Sequence, residues 1–256
     1  MTATDNRKKA REALTGKWGK GALIALVYAL FSGIVNSIVG KTDENSSIRA
    51  ILNIVVLIIN VPISFGLIIS FIKLKRGEEV SAFDFFKEGF SRFGRAWGLI
   101  GNTILKMIIP MILIILSIII VGISIGFSTV SVFEGTATVN SLSAISILAL
   151  IIYIAALVYA IVKGLLYSLS TFVAYDNDQM STKEAVEESA RLMKGNRGNL
   201  FVLELSFIGW AILAVLTLGI GMFWLIPYMQ VAIVCFYEQL AGKDNSSNEV
   251  VTSDKE

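Results

Sequence analysis

The chain has 256 residues, 55% of them apolar and only 16% charged, with a formal net charge of +2. Soluble domains carry about 25% charge, so this composition excludes an ordinary water-soluble fold and makes a bilayer the natural solvent. The small net charge gives no pull toward nucleic acid. Histidine, the commonest general base and metal ligand, is absent, and the lone cysteine, Cys235, leaves no internal disulfide to form.

Taken in chain order, the first element is a basic segment with Arg7, Lys8, Lys9, Arg11, Lys17 and Lys20, followed by the uncharged run Gly21–Gly40. A secretory signal has an apolar region of about 7–15 residues and a small-x-small cleavage site. This run is longer and has no such site, so it reads as an uncleaved first span. Ala50–Ile72, Met107–Phe133 and Gly135–Val162 follow, each long enough to cross about 30 Å of hydrocarbon as a helix. The last run, Leu205–Tyr237, would be roughly 50 Å long as one helix, too long for a single crossing. Its stretch LTLGIGMFWLIPY (Leu216–Tyr228) contains Gly219 and Gly221. Glycine reaches backbone angles closed to other residues, so the turn between a fifth and a sixth span falls there, with Pro227 inside the sixth helix.

Charge placement orients these spans. Cationic residues crowd the first segment, the second connection (Lys73, Lys75, Arg76, Lys87, Arg92, Arg95) and the fourth (Lys183, Arg191, Lys194, Arg197). The first connection holds only Lys41 and Arg49, and the third, Ser128–Ser143, holds none. Basic residues stay cytoplasmic, so the expectation is an all-α polytopic protein of the bacterial cytoplasmic membrane, with six transmembrane helices as three hairpins and both termini inside. Residues 1–240 form one membrane domain, and 241–256 read as a disordered cytoplasmic tail.

Ser81-Ala-Phe-Asp84 and Ser181-Thr-Lys-Glu184 have the hydroxyl-x-x-acid form of a helix start, and Thr2-Ala-Thr-Asp5 is a weaker third. Glycines recur at similar distances from each: Gly16 and Gly19, Gly94 and Gly98, Gly195 and Gly198. The pattern predicts three repeats of about 80–100 residues, roughly 1–74, 75–175 and 176–240, each a cytoplasmic amphipathic helix, a glycine-marked corner and a hairpin. In the middle helix, Phe83, Phe86, Phe90, Phe93 and Trp97 share one face. That face is expected down in the membrane interface, with Arg92 and Arg95 near anionic headgroups; the plainer alternative is a device that positions the next span.

Three ionisable groups enter apolar segments. Lys106, Lys163 and Glu204 either form a charged cluster lining an inward-facing vestibule, or the two lysines reach back to the headgroups. The sequence has no phosphate-binding loop, metal-ligand spacing or nucleophile elbow. It therefore predicts no catalytic residues, no cofactor and no metal site.

The C-terminal third carries a pattern: Ala185-Val-Glu-Glu-Ser-Ala-Arg-Leu-Met193-Lys-Gly195, then Trp210, Gly219, Gly221, Trp224, Pro227-Tyr228 and Phe236-Tyr237. It resembles the bacterial integral-membrane family called domain of unknown function 975, and is distantly similar to the membrane portion of some glycerophosphodiester phosphodiesterases. The resemblance implies a multi-span inner-membrane protein without established catalytic residues; the soluble phosphodiesterase part is absent. Two functions fit. One is a non-enzymatic protein that organises membrane lipids, a membrane-protein partner or a second copy from the cytoplasmic face. The other is a transporter or exporter of small solutes or peptides, protective against membrane-active agents, with substrate unknown.

Overall fold

The structure, a computed structural model, describes residues 2–43, 46–133 and 139–243, with side-chain surroundings given outside 125–145. The described residues contain helices and no strand. In chain order these are α1 (Ala3–Leu14), α2 (Trp18–Gly40), α3 (Ser47–Arg76), α4 (Asp84–Ser91), α5 (Phe93–Phe133), α6 (Val139–Tyr167), α7 (Ser170–Asp176), α8 (Thr182–Met193), α9 (Arg197–Leu205), α10 (Ile208–Leu216) and α11 (Met222–Leu240). Among the described residues, five helical segments are long and apolar enough to cross a membrane: Trp18–Gly40, Ser47–Arg76, Phe93–Ser124, Ser146–Asp176 and Arg197–Leu216. The expected sixth, now α11, is not among them. It carries Gln230, Glu238 and Gln239, and most of it from Leu225 to Glu238 is buried by protein. The tail expected from residue 241 lies, from 244 onward, outside the described residues.

Local rules account for the starts and stops. The Thr2 hydroxyl accepts the Asp5 N–H (3.3 Å) while the Asp5 carboxylate accepts the Thr2 N–H (2.8 Å). Ser181 and Glu184 repeat this reciprocal cap at the start of α8 (3.2 and 2.8 Å). Both helices end at glycines in the left-handed region, Gly16 (φ +75°) and Gly195 (φ +86°). The middle copy differs. Asp84 still accepts the Ser81 N–H (2.9 Å), but helix begins at Asp84 and the corner falls at Arg92. Gly94 lies past that corner, inside α5.

Two glycines bring α4 onto α3. A Cβ at Gly66 would lie 2.0 Å from the Phe85 carbonyl oxygen, and one at Gly89 2.2 Å from the Pro62 carbonyl oxygen. Only residues without a side chain allow this approach. Pro62 has no N–H, which leaves the Ile58 carbonyl without its helical partner. The Trp97 indole supplies the missing donor at 3.3 Å. Elsewhere in the spans, Asn102 joins two helices by donating to the Thr182 hydroxyl at 3.1 Å.

Burial is uneven along the molecule. Phe71, Ile72, Phe85, Met193, Leu200 and Val231 belong to one apolar core, formed by the short helices and the adjoining ends of the long ones. Away from it, α5 and α6 pack on each other along a seam of small residues, with Ser117 and Ser124 on one side and Ala149 and Ala156 on the other. Their leucines and isoleucines point outward, and only 11% of the most apolar 18-residue stretch of each span is buried. A surface this apolar is compatible with a membrane protein.

Candidate functional site

The segment Leu216–Tyr228 forms a tight turn. The Gly219 N–H donates to the Ala214 carbonyl (3.2 Å) with Gly219 at φ +84°. The Thr217 hydroxyl donates to the same carbonyl (2.7 Å) and accepts the Gly221 N–H (2.8 Å). A Cβ at Gly221 would come within 2.9 Å of the Ala214 Cα, so glycine is required where α10 and α11 separate. The turn tip is Leu218, a non-glycine residue at φ +56° that is 94% exposed.

Below the turn, α10 and α11 diverge and a groove of about 340 Å³ opens against α1 and α2. Its walls include Arg11, Trp18, Trp210, Leu213, Trp224 and Tyr228. The Tyr228 ring stacks tilted on Trp18 (5.9 Å) and edge-on to Phe207 (5.0 Å). Pro227 packs against Gly21, where a Cβ would be 2.9 Å away. Thus Trp210, Gly221, Trp224 and Tyr228 line one cavity, Gly219 and Pro227 shape its surroundings, and Gly195 and Met193 do neither. Gly195 makes the corner after α8, and Met193 is fully buried in the core. Arg11 and Trp18 were not in the expected set. Their signal was an arginine and a tryptophan on either side of the corner before the first span.

A second constellation joins the C-terminal ends of α3, α7 and α11. Arg76 grips the Asp176 carboxylate with both terminal nitrogens (2.7 and 2.9 Å) and donates its Nε to Glu238 (2.9 Å). Asp176 also accepts from Tyr237 (2.9 Å) and Lys243 (2.7 Å), and Lys75 pairs with Glu238. The side chains of Asp176 and Glu238 are only 3% and 5% exposed. Sequence reasoning missed this hub, although each of the three long apolar stretches ends in one of its charged residues.

The other expected site residues fall differently. Arg92 and Arg95 do not reach outward from an interfacial helix. Arg92 pairs with Glu88 (3.2 Å) and lies over the Tyr175 ring (5.0 Å). Arg95 donates to the carbonyls of Ala174, Asn177 and Asp178 (2.9, 2.7 and 3.1 Å) and so caps the end of α7. The single aromatic face is broken because the corner at Arg92 splits it between two helices. Phe90 and Phe93 stay exposed, whereas Phe86 packs edge-on against Phe31 (5.0 Å) and Trp97 bonds to α3. The fully buried aromatic of α4 is instead Phe85.

No hydrogen bond or ion pair joins Lys106, Lys163 and Glu204. Lys106 pairs with Glu187 of α8 (3.1 Å), and Lys163 sits over its own helix's Tyr159 ring (5.6 Å). Glu204 is exposed on α9, beside exposed Phe201 and Leu205. Among the described residues there is no group of three side chains that could hold a metal ion.

These features define an all-α protein with membrane-length helices anchored on one compact, ion-paired end. The chain belongs to the family described as protein of unknown function (DUF975), which matches residues 1–244. No curated protein and no solved structure matches it, and the comparisons lend no support to a likeness with glycerophosphodiester phosphodiesterases.

Proposed function

We propose that the chain is a non-enzymatic protein of the bacterial cytoplasmic membrane that organises lipids or a partner from the cytoplasmic face, with three helical hairpins inserted from that face and both termini on it. One observation carries this reading. The ends of α3, α7 and α11 meet in a single buried ion network, so the chain returns to one side after each hairpin. The clustering of Lys17, Lys20, Lys73 and Lys75 near that end supports a cytoplasmic assignment. The two reciprocal caps and the two left-handed corner glycines support a repeated unit over roughly 1–74 and 176–240, with the stretch 75–175 as a diverged middle copy.

In this reading the first two hairpins cross the bilayer and the third turns back inside it, in place of a fifth and sixth crossing. Pro227 is level with Gly21 and Leu74, because a Cβ on Gly21 would touch both. From Pro227 the turn at Gly219 is roughly 12 Å away along the helix, whereas from Gly21 the far end of α2 is roughly 28 Å away. An excursion of 12 Å ends inside about 30 Å of hydrocarbon. The tip suits that position: Leu218 and Ile220 are exposed, no charged residue lies between Glu204 and Glu238 in the sequence, and of the N–H groups from Thr217 to Gly221 all but that of Leu218 find acceptors. Backbone at that depth must be satisfied in this way.

Single cysteines in a Cys235→Ala background test the arrangement. An impermeant maleimide is expected to reach Glu79→Cys only from the cytosol, Thr42→Cys only from outside, and Leu218→Cys from neither face. Labelling of Leu218→Cys from outside would restore the sixth crossing, and outside labelling of Glu79→Cys would invert the orientation. For the organising role, native-disc extraction followed by mass spectrometry is expected to find one lipid class or protein enriched over the bulk membrane. Bulk composition in both would sink that role.

A further inference from the structure

The groove between α1, α2, α10 and α11 is mainly apolar, and the few hydrogen-bond donors of its lining make no bond among the described residues. The indole N–H groups of Trp18, Trp210 and Trp224 and the Tyr228 hydroxyl engage no protein acceptor among the described residues. Trp97, by contrast, spends its indole N–H on the Ile58 carbonyl. Arg11, exposed in the last turn of α1, makes no side-chain hydrogen bond or ion pair among the described residues. One turn earlier on the same face, Arg7 gives one terminal nitrogen to the Ser206 carbonyl (3.3 Å) and keeps a buried Nε without a partner.

A ligand that satisfies this lining has acceptors and negative charge at one end and a hydrocarbon tail at the other. We propose that the groove binds an anionic phospholipid of the cytoplasmic leaflet, with its phosphate on Arg11 and the Tyr228 hydroxyl and one acyl chain against Trp210, Leu213 and Trp224. The glycerol esters of such a lipid offer acceptors to the few indole and hydroxyl donors of a lining that is otherwise apolar. A free anion would leave the aromatic wall empty, and a zwitterionic lipid would bring an ammonium beside Arg11. Depth agrees as well. Arg11, Trp18 and Tyr228 lie at the level of Lys17 and Lys20, and the groove continues from Tyr228 toward Gly221 for roughly 10 Å, the direction a lipid of that leaflet points. This rests on the third hairpin entering the bilayer from the cytoplasmic face, and it names the lipid class the hairpin selects.

Tryptophan fluorescence of the full-length protein in lipid discs tests it. The discs contain phosphatidylcholine with a small fraction of brominated phosphatidylglycerol or, separately, equally brominated phosphatidylcholine. Wild-type protein is expected to be quenched more strongly by the brominated phosphatidylglycerol. Arg11→Gln should reduce that preference roughly tenfold, the scale of one charge-assisted hydrogen bond, and Tyr228→Phe should reduce it in part. Lys8→Gln, an exposed charge outside the groove, should leave the preference intact. Equal quenching by the two lipids in the wild type, or equal loss of preference in the Lys8 and Arg11 variants, overturns the groove site while leaving the hairpin arrangement standing. Absence of quenching by either lipid would instead remove the arrangement on which it rests.

Discussion

Replacing Asp176 with asparagine tests whether the ion network holds the three hairpin ends together. The carboxylate is 3% exposed and accepts four hydrogen bonds, two from Arg76 and one each from Tyr237 and Lys243. An amide of the same shape has one acceptor oxygen and turns two donors toward a guanidinium that can only donate. Arg76 keeps Glu238, but the charge that balanced it and Lys243 is gone. Breaking a buried pair on one side costs about 3–5 kcal/mol; with Glu238 still in place, Asp176→Asn should fall near the lower end. The internal comparison is Lys106→Gln, which breaks a pair whose side chains are 39% and 50% exposed and should cost less than about 1 kcal/mol. Unfolding in mixed micelles, followed by far-ultraviolet circular dichroism, measures both. A double-mutant cycle with Arg76→Gln should then show coupling above about 0.5 kcal/mol. An Asp176→Asn protein as stable as wild type, with no coupling to Arg76, would refute the clamp.

Gly89→Ala puts a methyl 2.2 Å from the Pro62 carbonyl oxygen, where the obstruction is backbone and cannot rotate away. The α3–α4 crossing must open, with an expected loss of about 1–3 kcal/mol in the same unfolding assay. Leu218→Gly relieves a left-handed leucine at φ +56°, a conformation that costs roughly 1–2 kcal/mol in residues with a Cβ. Part of that gain is lost to the freer unfolded chain, so a modest rise in melting temperature is expected. The Ser181 backbone N–H, and secondarily its side chain, holds the Glu184 carboxyl below its ordinary range. A depressed folded pKa means the stabilisation is complete above the ordinary carboxylate range and is lost as pH falls through the folded value. The protection factor against hydrogen exchange at the start of α8, taken relative to the intrinsic rate at each pH, should therefore stay constant from neutral pH down to that range and fall on further acidification, a dependence that Glu184→Gln removes.

The all-α class, the first four apolar segments, two of the three helix caps and the Gly219 turn were legible because each rests on local chemistry: run length, hydroxyl-x-x-acid spacing, and a backbone angle only glycine takes easily. What was not legible depends on how helices cross. The alternation of Phe83, Phe86, Phe90, Phe93 and Trp97 fits one helix face only if the helix is continuous, and the corner at Arg92 breaks it. The fully buried aromatic is Phe85, because Gly66 and Gly89 turn that side of α4 onto α3. Lys106, Lys163 and Glu204 stood out as charges inside apolar runs. The charges that converge are Arg76, Asp176 and Glu238 at the ends of such runs, where a terminal charge reads as ordinary interface chemistry until tertiary structure brings three of them together. Arg92 and Arg95 likewise look like headgroup ligands in sequence, and only the position of α7 supplies the carbonyls and the Tyr175 ring that they meet.

The occupied polar groups of the long helices support the proposed organising role over a conducting one. A solute path needs polar side chains that face a shared lumen and remain available to the solute. In the described part of the α5–α6 pair, Ser117 and Ser124 are buried and donate to carbonyls one turn back in their own helix, at 2.7 and 2.8 Å. Asn102 is occupied by Gly98 and Thr182, and Ser70 by Gly66. At the compact end the hub ties Arg76 to two acids at once. In the proposed arrangement the Arg11 guanidinium, the Trp210 and Trp224 indoles and the Tyr228 hydroxyl line a groove on the outer side of a hairpin, where they would face lipid. On the proposed reading a lipid arriving laterally would meet these donors directly, whereas a solute crossing between α5 and α6 would first have to break bonds that each helix makes within itself.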